Sequence, residues 1–291
     1  MHQSRVSDLL GAHVSVQGGV QTGPGRGAAI GATAIQVFTK TPNQWREPDV
    51  SSETVSAFRN ECDRTGITNI VSHDSYLINL ATPDPVLAAR SADSFVAELR
   101  RCQALGIRFV VSHPGNFIDE REAGLRRNAA AYTRCLETVP GPLMILLENT
   151  AGTGTSLGST FEELARLRNE IGEHVRHRVG FCADTCHLYS AGYDIARDYD
   201  AVWTRWDELV GLGHLRCLHL NDSKTPFGSR RDRHELIAEG SLGPEPFRRI
   251  MRDPRFAGII KVIETPKGDD EVTLDRRMLR RLRTYGRTRA R

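Results

Sequence analysis

The stretch RFVVSHPG at residues 108–115 is a short apolar run, rich in β-branched residues, that ends on polar side chains and Pro-Gly. Such a run predicts a buried strand that ends near Ser112 and His113. The same pattern occurs in TNIVSHD at residues 68–74, where His73 follows the apolar run. A histidine at one strand end carries little information, whereas a series of them would indicate a shared site.

Eight segments have this strand character, and helical patterns separate them. The predicted strands are residues 9–15, 34–39, 68–74, 108–114, 144–150, 179–186, 217–222 and 259–265. Helical segments include residues 85–106 and 159–172, the latter with Ser159 and Glu162 at capping-box spacing. Eight alternations without a Pro/Gly/Ser-rich linker predict an α/β fold, a single (β/α)₈ TIM barrel. An open doubly wound sheet is the alternative, but the glycine-rich dinucleotide turn that it often carries is absent after the first strand.

Composition is ordinary for a globular protein, with 291 residues, 39% hydrophobic and 26% charged. The net charge of +3 is too small to indicate a nucleic acid partner by itself. We expect one domain over residues 1–291 with its core at about 9–270. Without an 18-residue apolar run or a secretion signal, we expect a cytoplasmic protein and no membrane partner. The six cysteines form no CxxC pair, and we interpret Cys182 and Cys186 as small buried thiols.

Six residues with metal-binding side chains lie at or near the ends of the third to eighth predicted strands. They are His73, His113, Glu148, Asp184, His219 and Glu264, separated by 35 to 45 residues. The C-terminal ends of barrel strands meet at one mouth, so these side chains should converge there. Three more candidates follow the sixth and seventh strands, namely His187, Asp232 and His234.

Four carboxylates gathered at one mouth need cations to offset their mutual repulsion. Imidazoles mixed with carboxylates suit zinc, manganese or iron, and nine donors with one shared carboxylate suit two or three ions. Taken singly, each residue is more often a polar strand cap, but six in register favour a metal site. Clustered ions are suited to phosphate ester hydrolysis, and sugar isomerisation with one or two ions is the competing chemistry.

Three predicted loops above the mouth, at residues 38–46, 75–80 and 221–235, combine basic, polar and apolar side chains. Basic groups suit a phosphate backbone, and exposed apolar groups suit wedging between bases. These loops therefore favour DNA or RNA over a free sugar. The residues that we expect to contact DNA are Lys40, Asn43, Gln44, Tyr76, Leu77, Lys224, Arg230 and Arg233.

Several motifs closely resemble the endonuclease IV family of apurinic/apyrimidinic endonucleases. They are GAHVS (11–15), SHDSYLINL (72–80), LENTAGTGTSLG (147–158), DTCHLYSAGYD (184–194), HLNDSKTPFGSRRDRHELIAEGSLG (219–243) and VIET (262–265). The resemblance covers about residues 9–266. It implies a (β/α)₈ barrel with three zinc ions, manganese or iron being alternatives at one or more positions, that cleaves DNA on the 5′ side of an abasic site.

The resemblance also implies which residues hold each ion, and all nine positions are intact. The first zinc would bind His73, His113 and Glu148. The second would share Glu148 and bind Asp184, His219 and Glu264. The third would bind His187, Asp232 and His234. Glu148 and Glu264 are the expected catalytic carboxylates, and Tyr76 and Leu77 would enter the DNA where the abasic nucleotide swings out.

Two features depart from what the resemblance implies. Asn43 stands where we expect arginine, so the wedge in that loop is shorter and uncharged. The segment 272–291 contains eight arginines and is longer than expected. We predict a final helix over about 272–284 and a disordered basic tail over 285–291, with an extra phosphate contact as the alternative.

The sequence therefore predicts a monomeric hydrolase that acts on double-stranded DNA containing abasic sites or blocked 3′ ends. In-line attack by an activated water should leave a 3′-hydroxyl and a 5′-deoxyribose phosphate, and the same site should trim blocked 3′ ends. Two alternatives remain open. One is a metal-dependent sugar isomerase or epimerase on the same barrel, and the other is a non-catalytic DNA-binding protein.

Overall fold

The computed structural model describes residues 8–287 and contains one closed parallel barrel. The strands are β1 (Leu10–His13), β2 (Ala34–Val37), β3 (Asn69–His73), β4 (Phe109–Ser112), β5 (Met144–Glu148), β6 (Val179–Asp184), β7 (Leu215–His219), β8 (Asp222–Ser223), β9 (His234–Glu235) and β10 (Ile260–Ile263). Eight of them close in the order β1-β10-β7-β6-β5-β4-β3-β2, and β8 and β9 form a separate antiparallel hairpin. Because β1 pairs with both β2 and β10, the barrel has no free edge, which confirms the TIM barrel over the open sheet.

Helices cover the outside of the barrel. They are α1 (Gly23–Ala29), α2 (Ser52–Thr65), α3 (Pro85–Leu105), α4 (Arg121–Thr138), α5 (Phe161–Glu170), α6 (Glu173–Arg176), α7 (Thr185–Ala191), α8 (Tyr199–Leu209), α9 (Glu245–Ile250) and α10 (Glu271–Gly286). The predicted helix at 85–106 is α3. The Asp84 carboxylate caps its first turn by accepting hydrogen bonds from the Val86 and Leu87 amides. The helix ends at Leu105, and Gly106 follows it in the left-handed conformation with a φ of 80°. Within residues 8–287, no helix is long and apolar enough to cross a membrane.

The capping box predicted at Ser159 and Glu162 is wrong by one residue. The Thr160 hydroxyl accepts from the Glu163 amide at 3.2 Å, so Thr160 is the N-cap of α5. Phe161, the first helical residue, is fully buried and stacks on Tyr193 with ring centroids 3.8 Å apart. Burial of this ring fixes where the helix begins, and the sequence spacing alone does not show it.

The final helix extends beyond its predicted end at residue 284. The carbonyl of Tyr285 accepts from Arg252 Nε at 2.6 Å, and the Arg248 guanidinium lies 5.1 Å from the centre of the Tyr285 ring. These contacts with α9 and the turn after it extend α10 through Gly286. The predicted disordered tail is therefore wrong for residues 285 and 286, and residues 288–291 lie outside the described residues.

The barrel interior explains why the strand ends converge. Apolar side chains from the strands form a layer that fills the inside of the barrel. Six strands each contribute to this layer a residue that lies two positions before a predicted ligand. These six layer residues are Val71, Val111, Leu146, Cys182, Cys217 and Val262. Alternate residues of a strand point to the same face. The six ligands that follow these layer residues therefore also point into the barrel, and they lie nearer its mouth than the layer does.

We predict that Gly11→Ala destabilises the barrel. Gly11 pairs with Ala34 across β1 and β2, and an added Cβ would lie 1.6 Å from the Ala34 carbonyl oxygen. Neither backbone can move without breaking the barrel pairing, so the free energy of unfolding in urea should fall by about 3 kcal/mol or more. Gly213→Ala, whose methyl meets nothing within 4 Å, should change it by less than about 0.5 kcal/mol. Equal stabilities of the two variants would contradict this packing.

Candidate metal centre

The structure brings all nine predicted ligands to the mouth of the barrel. Four are the last residues of their strands, and two directly follow theirs. The four are His73, Glu148, Asp184 and His219, and the two are His113 and Glu264. The other three come from α7 and the β8–β9 hairpin, namely His187, Asp232 and His234.

Three groups of ligand atoms form within this set, and each group lies within 4.8 Å. Group one is His73, His113 and Glu148; group two is Glu148, Asp184, His219 and Glu264; group three is His187, Asp232 and His234. The groups match the three ligand sets implied by the resemblance. Each group is thus compact enough for small side-chain movements to bring its atoms onto one ion, for which ligand distances are about 2.0–2.2 Å.

Glu148 belongs to two of the groups because its two oxygens face opposite ways. Oε2 lies 3.3 Å from His73 Nε2 and 3.0 Å from His113 Nε2. Oε1 lies 2.8 Å from His219 Nδ1 and 3.4 Å from His187 Nδ1. The side chain is fully buried, so this carboxylate fixes the separation of groups one and two.

Group three depends on a helix start and a hairpin. Asp184 is the N-cap of α7, and its carboxylate accepts from the His187 amide at 2.8 Å, which sets the first turn that carries His187. His187 Nε2 and His234 Nε2 lie 3.2 and 3.1 Å from the carboxylate of Asp232. Both nitrogens are buried, and neither has a hydrogen-bond partner among residues 8–287.

The tautomers of two histidines are fixed by backbone carbonyls. The Asp74 carbonyl lies 2.9 Å from His73 Nδ1, and the Asn149 carbonyl lies 2.9 Å from His187 Nδ1. A carbonyl only accepts, so each Nδ1 carries a hydrogen and each Nε2 is the nitrogen that faces its group. Beside a carboxylate, that nitrogen needs either a proton of its own or a metal ion between the two groups. The donor set, its orientation and its orphaned nitrogens therefore fit a divalent metal ion.

Electrostatics at the mouth couple these groups. Burial alone would raise the pKa of Glu148, but the charges of His219 and His113 outweigh it and hold this pKa well below its ordinary value. Burial likewise opposes protonation of His73, but its hydrogen bond to Glu148 and the charge of that carboxylate raise its pKa to about 9. The carboxylate thus stays ionised only with positive charge beside it, from protons or from metal ions, and binding of an ion should release protons.

Two adjoining cavities open over the ligands and share His113, His187 and Asp232. The larger measures about 520 Å³, and Arg231 and Arg233 line its wall. The smaller measures about 280 Å³. Its other walls include Tyr76, Phe38, His13 and Lys267. The mouth is thus an open cleft with basic and aromatic walls.

Most of the residues predicted to contact DNA are exposed, and two of them, Tyr76 and Arg233, line the cleft. Tyr76 is 63% exposed, with its ring 5.3 Å from Phe38 and 6.1 Å from His73. Leu77 beside it is half-buried. The exposed remainder are Asn43, Gln44, Lys224, Arg230 and Arg233.

Lys40 does not belong with them, which corrects the sequence prediction. It is 6% exposed, and its Nζ donates to Glu47 Oε1 at 2.5 Å, to Ser94 Oγ at 3.0 Å and to the Gln44 carbonyl. Glu47 also pairs with Arg101 at 2.5 Å. The Lys40 ammonium is fully used in joining the β2 loop to α3, so it is not free to bind a phosphate.

Sequence reasoning missed several polar residues that hold the ligands. Asn221 Nδ2 donates to Asp184 Oδ2 at 2.6 Å, and Asn221 Oδ1 accepts from the Glu264 amide at 2.8 Å. His13 and Gln36 contact Glu264 from the first two strands. The available signal was the polar end of β1 in GAHVS and the amide that interrupts the apolar strand AIQVF.

The cysteines keep the role that the sequence predicted. Cys182 and Cys186 are fully buried, and burial raises the pKa of both thiols, to about 11 for Cys186. Each also lies close enough to ligand residues to form a group with them. Neither cysteine belongs to the three groups formed by the nine predicted ligands, and both are the small buried thiols that the sequence predicts.

Comparison with known proteins identifies the relatives of this chain. Residues 25–284 match the family described as xylose isomerase-like TIM barrel. A probable endonuclease 4 from Chloroflexus aggregans is 50% identical over 266 residues, covering 90% of this chain and 92% of that protein.

The chain belongs to the endonuclease IV family. The endonuclease IV structure from Thermus thermophilus is 35% identical, with a TM-score of 0.84, and the match covers 94% of this chain and 98% of that chain. A D-tagatose 3-epimerase-like protein has a TM-score of 0.70 at 17% identity, over 95% of this chain and 97% of that chain, which shows the barrel fold alone. The resemblance predicted from the motifs is confirmed, and the chain is an enzyme of the endonuclease type.

We predict different effects for two lysines that the sequence treats alike. Lys224→Gln removes an exposed charge 3.8 Å from Glu235, and the slope of log affinity for DNA against log salt should fall by about 0.9 if it contacts one phosphate. Lys40→Gln should leave that slope unchanged and lower the free energy of unfolding by about 1–3 kcal/mol, because it leaves buried partners unpaired. Filter binding at several salt concentrations and urea denaturation distinguish the two. A smaller salt slope for Lys40→Gln would restore it as a DNA contact.

Proposed function

We propose that this chain is a zinc-dependent DNA repair endonuclease that cleaves the phosphodiester on the 5′ side of abasic sites in duplex DNA. The products would be a 3′-hydroxyl and a 5′-deoxyribose phosphate, and the same site would trim blocked 3′ ends. The observation that carries the proposal is the arrangement of three ligand groups around Glu148 at the mouth of an endonuclease IV barrel.

The donor chemistry supports zinc. Each ligand group combines imidazole with carboxylate and contains no thiolate, which suits zinc, with manganese or iron as alternatives. Ions bound at the three groups would lower the pKa of an attacking water and offset charge on the departing 3′ oxygen. The shared carboxylate argues for ions held at fixed spacing, as in-line phosphoryl chemistry requires.

The side chains of the cleft have distinct parts in this reaction. Glu148 and Glu264 would hold metal ions at their ligand groups, and those ions would supply positive charge for the reacting phosphate. Arg231 and Arg233, on the wall of the larger cavity, offer charge to the phosphates on either side of the scissile bond. Both side chains are exposed, and Arg233 Nη1 donates to a backbone carbonyl, that of Asp232, so both charges are available.

Tyr76 is the group that would take the space left by an abasic nucleotide. Burial, together with the charges of Glu264 and Glu148, raises the pKa of its phenol to about 12, so it stays neutral beside the DNA. An exposed aromatic ring next to the metal groups can stack on the neighbouring base and hold the sugar out of the helix. Leu77 follows it on the same loop and would extend the wedge.

The sugar isomerase alternative lacks a comparable observation. That chemistry uses one or two ions, whereas three ligand groups share this mouth. The epimerase-like structures that match below 25% identity support the barrel alone. We also propose that the enzyme acts as a monomer, since the cleft is complete within one chain.

The proposal is tested with an end-labelled duplex that contains one tetrahydrofuran residue. We expect a single cut on the 5′ side of that residue, loss of cutting after chelation, and recovery on addition of zinc. Conversion of ketose to aldose with an intact duplex would favour the isomerase. Tight binding of the duplex without cutting in the zinc-restored protein would favour a non-catalytic binder.

We predict that Glu148→Gln and Glu264→Gln each lower cleavage by orders of magnitude while abasic DNA still binds. Either change removes a negative charge that a ligand group needs, but leaves the arginines and the wedge in place. Single-turnover cleavage and gel-shift affinity measure the two effects. Glu208→Gln, on the exposed face of α8, is the control. Near-normal turnover in both active-site variants would refute the metal assignment.

We predict that Tyr76→Ala weakens binding of abasic duplex more than it slows cleavage at saturating DNA. Loss of one stacked base should raise the dissociation constant by about tenfold or more. Tyr76→Phe keeps the ring and should bind within about twofold of the native protein. A dissociation constant unchanged by Tyr76→Ala would exclude the wedge.

A further inference from the structure

Gln36 is a fully buried amide in β2 that contacts three residues of the mouth. Its Nε2 lies 2.6 Å from Glu264 Oε1 and 3.0 Å from His13 Nδ1. Its Oε1 lies 2.7 Å from His219 Nε2. One side chain outside the nine-residue ligand set thus connects a carboxylate of group two, a histidine of group two and a histidine of the cleft wall.

The orientation of this amide follows from the chemistry of its partners. Its Nε2 lies within hydrogen-bond distance of both Glu264 Oε1 and His13 Nδ1, and the two N–H groups of an amide can serve both. A carboxylate that binds a metal ion carries no proton and only accepts, so the amide end that faces Glu264 is the donor NH₂. The carbonyl end then faces His219. The network therefore admits one amide orientation.

This orientation sets the tautomer of His219. A carbonyl only accepts, so His219 Nε2 carries the hydrogen that it donates to Gln36. Nδ1 is then the nitrogen that faces group two, 2.8 Å from Glu148 Oε1 and 3.2 Å from Glu264 Oε2. The side-chain carbonyl of Gln36 thus fixes which ring nitrogen of His219 carries the hydrogen, as backbone carbonyls do for His73 and His187.

The same amide sets the tautomer of His13. The NH₂ of Gln36 donates to His13 Nδ1, so that nitrogen is an acceptor and the hydrogen of the neutral ring is on Nε2. The ring is 16% exposed and lines the smaller cavity with Tyr76 and Lys267. Nε2 has no hydrogen-bond partner among residues 8–287, so its N–H is available to a ligand in the cleft.

We propose that Gln36 is a positioning residue that holds His219 as an Nδ1 ligand and presents His13 Nε2–H as a neutral hydrogen-bond donor to an anionic phosphate oxygen of the bound strand. The statement about His13 rests on the proposed function, whereas the statement about His219 requires only that group two binds a metal ion. Removing the amide should therefore act on both metal binding and substrate binding, through two different histidines.

The experiment compares native protein with Gln36→Met, which has similar length and no amide. Long-range ¹⁵N–¹H spectra of the zinc-loaded proteins report imidazole tautomers directly, and competition with a chelator reports zinc affinity. We expect native His219 to be protonated at Nε2, and Gln36→Met to lose affinity for the zinc of group two by about 10- to 100-fold, with a fall in kcat. Gln103→Met, which removes an exposed amide outside the mouth, should behave as native protein.

His13 is tested separately through DNA binding by the zinc-loaded protein. His13→Leu should raise KM for the tetrahydrofuran duplex by about fivefold, as expected for one lost hydrogen bond. His13→Gln places an N–H near the position of Nε2 and should restore most of the loss. A kcat effect without a KM effect, or equal KM values in both variants, would overturn the assignment of His13 as a phosphate donor.

The outcomes separate this inference from the proposed function. A native spectrum with the His219 hydrogen on Nδ1, or native zinc affinity and tautomers in Gln36→Met, would overturn the role of Gln36, whatever the substrate is. If Gln36→Met does not fold, the native spectrum alone decides. Native tautomers as expected, with no cleavage of the tetrahydrofuran duplex, would sustain Gln36 as a positioning residue and reject the proposed function together with the role of His13.

Discussion

The mouth of this barrel depends on keeping one inaccessible carboxylate ionised. Glu148 has no exposed surface, and transfer of a carboxylate from water into such a site costs several kcal/mol unless positive charge meets it. Four imidazoles lie within 3.4 Å of its two oxygens, on opposite sides. Protons or metal ions must supply the compensating charge, so the charge state of the whole cleft is coupled to this one group.

The barrel makes that arrangement rigid. Parallel pairing places the ends of six strands around one axis, and the apolar layer beneath them excludes water from below. Ligands that are last in their strands have backbones fixed by neighbours on both sides. Asn221 and Gln36 then fix the side chains, since each amide serves one partner with its oxygen and another with its nitrogen. Precision at the site thus comes from strand pairing and from buried amides together.

The sequence predicted what depends on local pattern and missed what depends on distant partners. The strand ends at His73 and His113 were visible because an apolar run stops there. The grouping of ligands came from the resemblance, since spacing along the chain does not show which strand ends are neighbours. Lys40 was misassigned because a basic residue after a strand looks the same whether it meets solvent or Glu47. The amide of Gln36 was visible as an interruption of an apolar strand, but its partners were not, because a single amide in a strand has many uses.

The end of α10 is a second feature that the sequence alone could not predict, because it also depends on distant residues. Tyr285 belongs to the helix because two arginines more than 30 positions earlier contact it. Arg252, in the turn after α9, donates a hydrogen bond to its carbonyl, and the guanidinium of Arg248, in α9, lies over its ring. Nothing within the basic segment itself distinguishes residue 285 from a frayed end. Helix ends, like buried charges, are set by tertiary partners that a single sequence does not reveal.

The third ligand group differs from the other two in what carries it. Two of its members sit on and beside a hairpin with two residues per strand, and the Asp232 side chain is 46% exposed. An ion bound there would exchange with solvent more readily than one enclosed by the barrel. A scarcity of metal would therefore empty this outer group first, so that the supply of metal would set the number of fully loaded molecules without unfolding any of them.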